Sequence, residues 1–355
     1  MMNRFSLVFI SFLFSLGFFA IFAQEIEVVN TKIRTFISKG EFTKFKFSPD
    51  GIPSQISARL GNYTSPFYVV HFGMLYSETC RSPTYSDKYH WIFDGTSKFW
   101  PGKPESQSLS SFRQTLDWLV SETKFDDFGN AHFEYDFFWP YRGYPGGGLQ
   151  PGWWSGLTDG YAIVLLLRGY DCFNQVEYKQ LAKQLYSSVT TPVEQGGSLI
   201  YWDGHPWIEE YVDPAAPSEA LSRVFNGMAY AYFGVKSYED FSSKPKFASA
   251  LLRSMQSHVG KYDLGYWSAY DAVGGRSNVK YHNVNWSLIS DPRLKGVAKE
   301  SLINRWSFGS TFPVFYLLQG PVTFALIHAW LTILALTLIF FHSSKAVYSI
   351  LKRIL

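Results

Sequence analysis

The chain has 355 residues, a formal net charge of +3, 46% hydrophobic residues and 19% aromatic residues. That length allows one large domain or two smaller ones. A nearly balanced charge without a basic stripe argues against nucleic acid as a partner, and the two cysteines sit in no CxxC or HxxxH cluster that would hold zinc.

In chain order, "MMNRFSLVFISFLFSLGFFAIFAQ" places Arg4 before an apolar run, Phe5 to Phe22, with small residues Ala20 and Ala23 at a candidate cleavage point. Residues 1–23 therefore read as a secretory signal, with an uncleaved anchor as the alternative. Residues 24–105 read as a short mixed segment. "EIEVVNTKIRTFI" alternates like an extended strand, and "FSPDGIPSQISA" carries turn signals. "SPFYVVHFGMLYSE" has Phe67, Val70 and Met74 at helical spacing. Pro, Gly and Ser thicken from Gly95 to Ser111, as in a linker or long loop.

Helical signals dominate residues 106–315. "SLSSFRQTLDWLVSE" opens with serine caps and carries Phe112, Leu116 and Leu119 on one face. "SGLTDGYAIVLLLRGYDCF", "QVEYKQLAKQLYSSVTTPV", "SEALSRVFNGMAYAYFGVKSY" and "KFASALLRSMQSHVGKY" follow. The expected fold is mainly α, an (α/α) toroid-type catalytic domain in which paired helices ring a cleft lined by loops. From Pro321 to Phe341 the only ionisable side chain is His328, long enough for a transmembrane helix. The basic tail, residues 342–355, places the C-terminus in the cytoplasm and the central region outside it, whether lumenal, periplasmic or extracellular. There Cys80 and Cys172 could pair or could be small buried residues; both readings stay open. Asn62 and Asn285 fit the glycosylation pattern.

Tryptophan and tyrosine crowd the middle: "YHWIF", "FWPYRGYPGGG", "PGWW", "YWDGHPW", "GYWSAYD". Aromatic faces beside amides and carboxylates suit sugar rings, and equally an ordinary aromatic core. Within "HPWIEEYVDP", Glu209 and Glu210 lie between Trp207 and Tyr211, as a solvated turn or as a carboxylate tuned for proton transfer.

The blocks "SFRQTLDWLVSET", "LQPGWWSGLTDGYAIVLLLRGY", "PWIEEY", "VFNGM", "YWSAYD" and "YHNVNW", in this order, resemble the C-terminal domain of D-glucuronyl C5-epimerases. "FSPDGIPSQI" and "NYTSPFYVVHFGMLYSE" are similar to the family's segment before its β-rich region, which is nearly absent here. The resemblance covers Phe47 to Trp306. It implies an isomerase that converts D-glucuronate to L-iduronate residues in a heparosan-type polymer, the chemistry of heparan sulfate biosynthesis. Carried over by motif, Glu210, Tyr211, Tyr270 and Tyr281 are the implied catalytic residues. Tyr76, Trp153, Trp154, Glu209, Asn226, Arg276 and His282 are the implied substrate-binding or supporting residues. Two positions depart from the family: the arginine after "YD" is Val273 here, with Arg276 the nearest candidate, and the second histidine of the later motif is Asn285. Both bear on substrate recognition.

The chemistry suits these residue types. The C5 hydrogen of a uronate is α to a carboxylate and very weakly acidic. Inversion needs a base on one ring face and an acid on the other, with the enolate stabilised between them. Tyrosine and glutamate serve when their surroundings tune them. No GxGxxG or Walker pattern appears, so no cofactor is expected; a calcium site from scattered oxygen ligands is left open. The expected partners are a uronate-containing polysaccharide and the membrane, through the C-terminal helix, with a homodimer left open. Two alternatives stand beside the epimerase: a polysaccharide lyase acting by β-elimination, and a non-catalytic glycan-binding membrane protein.

Overall fold

The computed structural model describes residues 4–37, 44–57, 60–80, 108–216, 218, 221–312 and 324–354. Among them the order is α1 (Arg4–Ile37), β1 (Lys44–Phe47), β2 (Pro53–Ser57), β3 (Gly61–Tyr63), α2 (Pro66–Tyr76) and α3 (Leu109–Glu122). Short strands follow: β4 (Lys124–Phe125), β5 (Ala131–His132), β6 (Glu134–Tyr135), β7 (Trp139–Pro140), β8 (Gly148–Leu149) and β9 (Trp153–Ser155). Next come α4 (Gly156–Phe173), α5 (Val176–Val189), β10 (Leu199–Trp202), β11 (His205–Ile208) and β12 (Tyr211–Val212). The chain continues through α6 (Phe225–Ser242), α7 (Ala248–His258), α8 (Val279–Ser290), α9 (Glu300–Thr311) and α10 (Phe324–Ile354). The fold is mainly α.

Local chemistry explains the helices. Ser108 caps α3 by accepting from the Ser111 amide at 3.0 Å, and Phe112, Leu116 and Leu119 below it are fully buried. Ser155 caps α4 in the same way, through Thr158 N. From Tyr161 to Leu167 every α4 side chain is buried, the mark of a helix packed on all sides. Consecutive helices pack as pairs: α2 on α3, α4 on α5, α6 on α7 and α8 on α9. The first members also touch in succession, α2 to α4, α4 to α6 and α6 to α8, so these four form an inner row with their partners outside it.

The N-terminal strands form an antiparallel sheet, β1-β2-β3. Its first turn passes through Gly51 at φ +86°, where a side chain is strained and glycine is free. The Tyr76 hydroxyl donates to the Gly51 carbonyl at 2.8 Å, and Phe47 packs edge-on to Phe72 at 4.9 Å, which together fasten this sheet to α2. Cys80 and Cys172 are joined by a disulfide, tying the end of the α2 segment to the end of α4.

Two expectations are corrected. "EIEVVNTKIRTFI" is helical, forming the part of α1 that follows a kink at Phe22 and ends at Ile37, and among the described residues no strand pairs with this segment. The Asn285 sequon is fully buried in α8, whereas Asn62 is exposed. The proposed linker from Gly95 to Ser111 lies mostly outside the described residues. Two stretches, Phe5–Phe22 and Trp330–Val347, are long and apolar enough to cross a membrane. The two helices run side by side, with Phe18 meeting Phe340 at 5.8 Å while Phe5 to Phe12 flank Trp330 to Thr337. They point the same way.

Candidate active site

The site begins with three strands. β6, β9 and β12 form a sheet in which Tyr135 faces Trp153, and Ser155 faces Tyr211. Paired residues share a face and alternate residues return to it, so Tyr135, Trp153, Ser155 and Tyr211 present one surface. All four line a partly open cavity of about 250 Å³. At ~30 Å³ per water this is room for a single sugar ring. The Tyr135 and Trp153 rings stack at 4.0 Å and 7°, and the Trp153 indole donates to the Phe137 carbonyl at 2.9 Å. This gives a fixed aromatic platform that continues through Phe137 to Trp139.

The inner row of helices closes the other sides. Phe67 and Tyr68 of α2, Leu157 and Thr158 of α4, Asn226 and Tyr230 of α6, and Tyr281 and Val284 of α8 line the cavity. All come from the first two turns of their helices. Four helix N-termini, each the positive end of a helix dipole, therefore border one space.

"WIEEY" is the bend from β11 to β12, and its two glutamates part ways. Glu209 turns inward: it is fully buried, accepts from Arg223 N at 2.9 and 3.1 Å, and bonds the Ser222 hydroxyl. It thereby holds Arg223, at φ 50°, ahead of α6. Burial raises its pKa to about 7, the Ser222 and Arg223 hydrogen bonds opposing. Glu210 instead lines the cavity, 5% exposed, with Oε2 lacking any hydrogen-bond partner among the described residues. Burial raises its pKa to about 8; the Tyr211 and Tyr270 phenols oppose this, and Glu209 and Asp271 add to it. Gly227 makes the arrangement possible, since a Cβ there would lie 2.3 Å from Glu210 Oε2. "VFNGM" thus supplies both the seat of Glu210 and the Asn226 amide, whose Nδ2 also lacks a hydrogen-bond partner among the described residues.

The four residues implied as catalytic come together. Glu210, Tyr211 and Tyr281 line the cavity. Tyr270 stands just behind, its hydroxyl 2.9 Å from that of Tyr211 and its ring edge-on to Tyr281 at 4.7 Å. Burial raises the Tyr281 phenol to about 12, and burial with the charge of Glu210 holds Tyr211 and Tyr270 well above the usual tyrosine range. Near neutral pH these phenols are proton donors, and of these four residues Glu210 is the one whose pKa lies nearest neutrality.

Of the residues implied as substrate-binding, Trp153 and Asn226 line the cavity and five do not. Trp154, one residue along the strand, points to the opposite face. It is buried on His132 at 4.2 Å, and His132 is in turn held by Asp159 at 2.8 Å and the Gly196 carbonyl at 2.7 Å. Tyr76 is consumed in the bond to Gly51. Glu209 braces a loop. His282 is fully buried against Trp267 at 3.9 Å. Its Nδ1 accepts from Ser268 N at 3.0 Å, which leaves Nε2 to donate to the Trp306 carbonyl at 3.1 Å. Arg276 bridges to Ala269 and lies beside His282, helping to lower that histidine's pKa to about 3 after burial, the larger cause. Among the described residues no Lys, Arg or His side chain lines the cavity.

Sequence reasoning missed Gln55, Tyr63, Tyr68, Tyr135 and Tyr230, all on the cavity wall. Tyr230 was findable, since it lies four residues after Asn226 and so on the same helix face. Also missed was Asp271, which accepts from Tyr141 OH at 2.8 Å and from Gly275 N at 2.6 Å, shaping the loop that carries Tyr270. Among the described residues no group of three or more His, Cys, Asp or Glu side chains is placed to hold a metal ion.

A mainly helical frame thus surrounds an aromatic cavity holding a carboxyl group and a cluster of phenols. Residues 129–304 match the family described as D-glucuronyl C5-epimerase C-terminus, and through this region the chain belongs to the D-glucuronyl C5-epimerase family. It is 27% identical over 179 residues to the D-glucuronyl C5-epimerase of Caenorhabditis elegans, covering 44% of this chain and 28% of that protein. It is 31% identical over 147 residues to an uncharacterized protein of Methanocaldococcus jannaschii, covering 39% of this chain and 45% of that one. The chain therefore spans less than half the length of either relative. Among solved structures, a GH76 α-mannanase of Bacteroides thetaiotaomicron is similar with a TM-score of 0.40 at 11% identity, over 93% of this chain and 85% of that one.

Proposed function

We propose that this protein is a polysaccharide uronate C5-epimerase, converting D-glucuronate to L-iduronate residues. The observation that carries the reading is Glu210, a buried carboxyl at about pKa 8 facing the same small cavity as neutral phenols. A general base works best when its pKa lies near the working pH, and the opposite ring face needs a donor. In this reading Glu210 takes the C5 proton and Tyr281 returns one on the other face. Tyr211 and Tyr270 stabilise the developing enolate through their linked hydroxyls. Trp153 and its stacked neighbour Tyr135 hold the ring. Asn226 faces the substrate carboxylate, with the positive ends of the four helix dipoles behind it. The inner and outer rows of helices supply the frame of the expected (α/α) toroid.

We place the domain outside the cytoplasm, tethered by α10. Parallel helices joined to the same domain by opposite ends cannot both span a bilayer with that domain on one side, so α1 suits a signal better than a second span. Incubation with heparosan-type polymer, followed by measurement of the iduronate-to-glucuronate ratio, tests the assignment. An unchanged ratio across a panel of uronate polymers would remove it.

A further inference from the structure

Resting on the uronate-epimerase reading above, we propose that Gln55 is a specificity-determining residue that accepts a hydrogen bond from a ring hydroxyl of the sugar in the cavity. Gln55 sits on β2, outside residues 129–304, which carry the family match. It is 2% exposed and lines the cavity, yet its Oε1 has no hydrogen-bond partner among the described residues. Leaving a buried acceptor unpaired is unfavourable, and such atoms in a folded protein call for an explanation.

The surroundings supply one. Gln55 lies opposite Tyr63 across the β2–β3 ladder, and both line the cavity, so this sheet presents one polar and one aromatic side chain to it. Tyr63 continues the platform, meeting Phe137 at 5.2 Å. The sheet is held in place by the Tyr76–Gly51 hydrogen bond, which gives Tyr76 a positioning role in place of a binding one. Among the described residues, three buried polar atoms without hydrogen-bond partners share this one space: Glu210 Oε2, Asn226 Nδ2 and Gln55 Oε1. The first two suit proton transfer and carboxylate binding. An amide oxygen needs a donor, which a uronate carboxylate lacks and a ring hydroxyl provides. Removing an interaction made equally in the ground and transition states raises KM and leaves kcat.

The test is steady-state C5 inversion by Gln55→Leu and Gln55→Glu on heparosan-type polymer, with melting temperature measured alongside. Leucine keeps the bulk and loses the acceptor; glutamate keeps the acceptor and sets a charge against a polyanion. We expect KM to rise about tenfold or more in both, kcat to stay within about threefold, and the melting temperature of Gln55→Leu to hold or rise. KM within twofold of wild type in either folded variant overturns the inference, as does a loss of stability with KM unchanged. If Gln55→Leu does not fold, Gln55→Glu alone decides by the same criterion. A wild-type protein inactive on every uronate polymer defeats the epimerase reading and this inference with it. An active wild type indifferent to both substitutions defeats the inference alone.

Discussion

Replacing Glu210 with glutamine separates catalysis from stability in one variant. The carboxyl titrates near 4.5 in the unfolded chain and near 8 in the folded one, because burial disfavours its charge. A folded pKa raised above the unfolded value means the unfolded state gives up its proton first, so stability falls as pH climbs from about 4.5 to about 8. The difference of 8 − 4.5, or 3.5 units, at ~1.4 kcal/mol per unit sets a ceiling of about 5 kcal/mol. Relaxation around a buried charge lowers such penalties, leaving ~2 kcal/mol, or roughly 4–8 °C in melting temperature. The glutamine variant should therefore melt roughly 4–8 °C above wild type at pH 8.5 and coincide with it near pH 4. It should also lose ~10²–10⁴ in inversion rate. In the wild type, kcat/KM should rise with pH towards about 8, since the base must be ionised. Scanning calorimetry across pH, beside NMR-monitored inversion, checks both. A variant that inverts at the wild-type rate, or melts with no pH-dependent gain, would refute the reasoning.

Three other outcomes follow from the geometry. Tyr281→Phe should cut inversion ~10²–10⁴-fold while leaving C5 proton exchange measurable from the glucuronate side, as deuterium incorporation without iduronate. His282→Ala should lose about 2–4 kcal/mol of stability, because it removes two buried hydrogen bonds and a ring stacked on Trp267, with the KM of the folded fraction unchanged; a raised KM at wild-type stability would return His282 to substrate binding. Breaking the Cys80–Cys172 bond by Cys172→Ser should lower stability by about 2–4 kcal/mol in chemical denaturation, as expected for a disulfide closing a long loop.

Much of this site was legible because its chemistry is written locally. Glu210 and Tyr211 are adjacent, Tyr270 and Tyr281 lie in short ordered motifs, and all four meet in space. The binding residues were less legible because alternation along a strand decides which neighbour faces the cavity. Trp153 and Trp154 look equivalent in "PGWW", and only the pairing of Trp153 with Tyr135 separates them. Glu209 and Glu210 are a second such pair, divided by the bend after β11. Tyr76 and His282 were misplaced because a residue held by backbone partners distant in sequence, such as Gly51 or Trp306, gives no local sign of it. α2 and α3 were readable from apolar spacing, with serine caps marking the start of α3. The contacts among α2, α4, α6 and α8 arise from packing between distant segments, and no local pattern carries them.

The central claim is removal and return of a proton at C5. Incubating wild-type protein with heparosan-type polymer in deuterated water and recording the proton NMR spectrum tests it most directly. The account predicts that the glucuronate H5 signal decays, iduronate signals appear with deuterium at C5, and the chain stays intact. A spectrum with no C5 exchange, or an unsaturated uronate formed by chain cleavage, would contradict it.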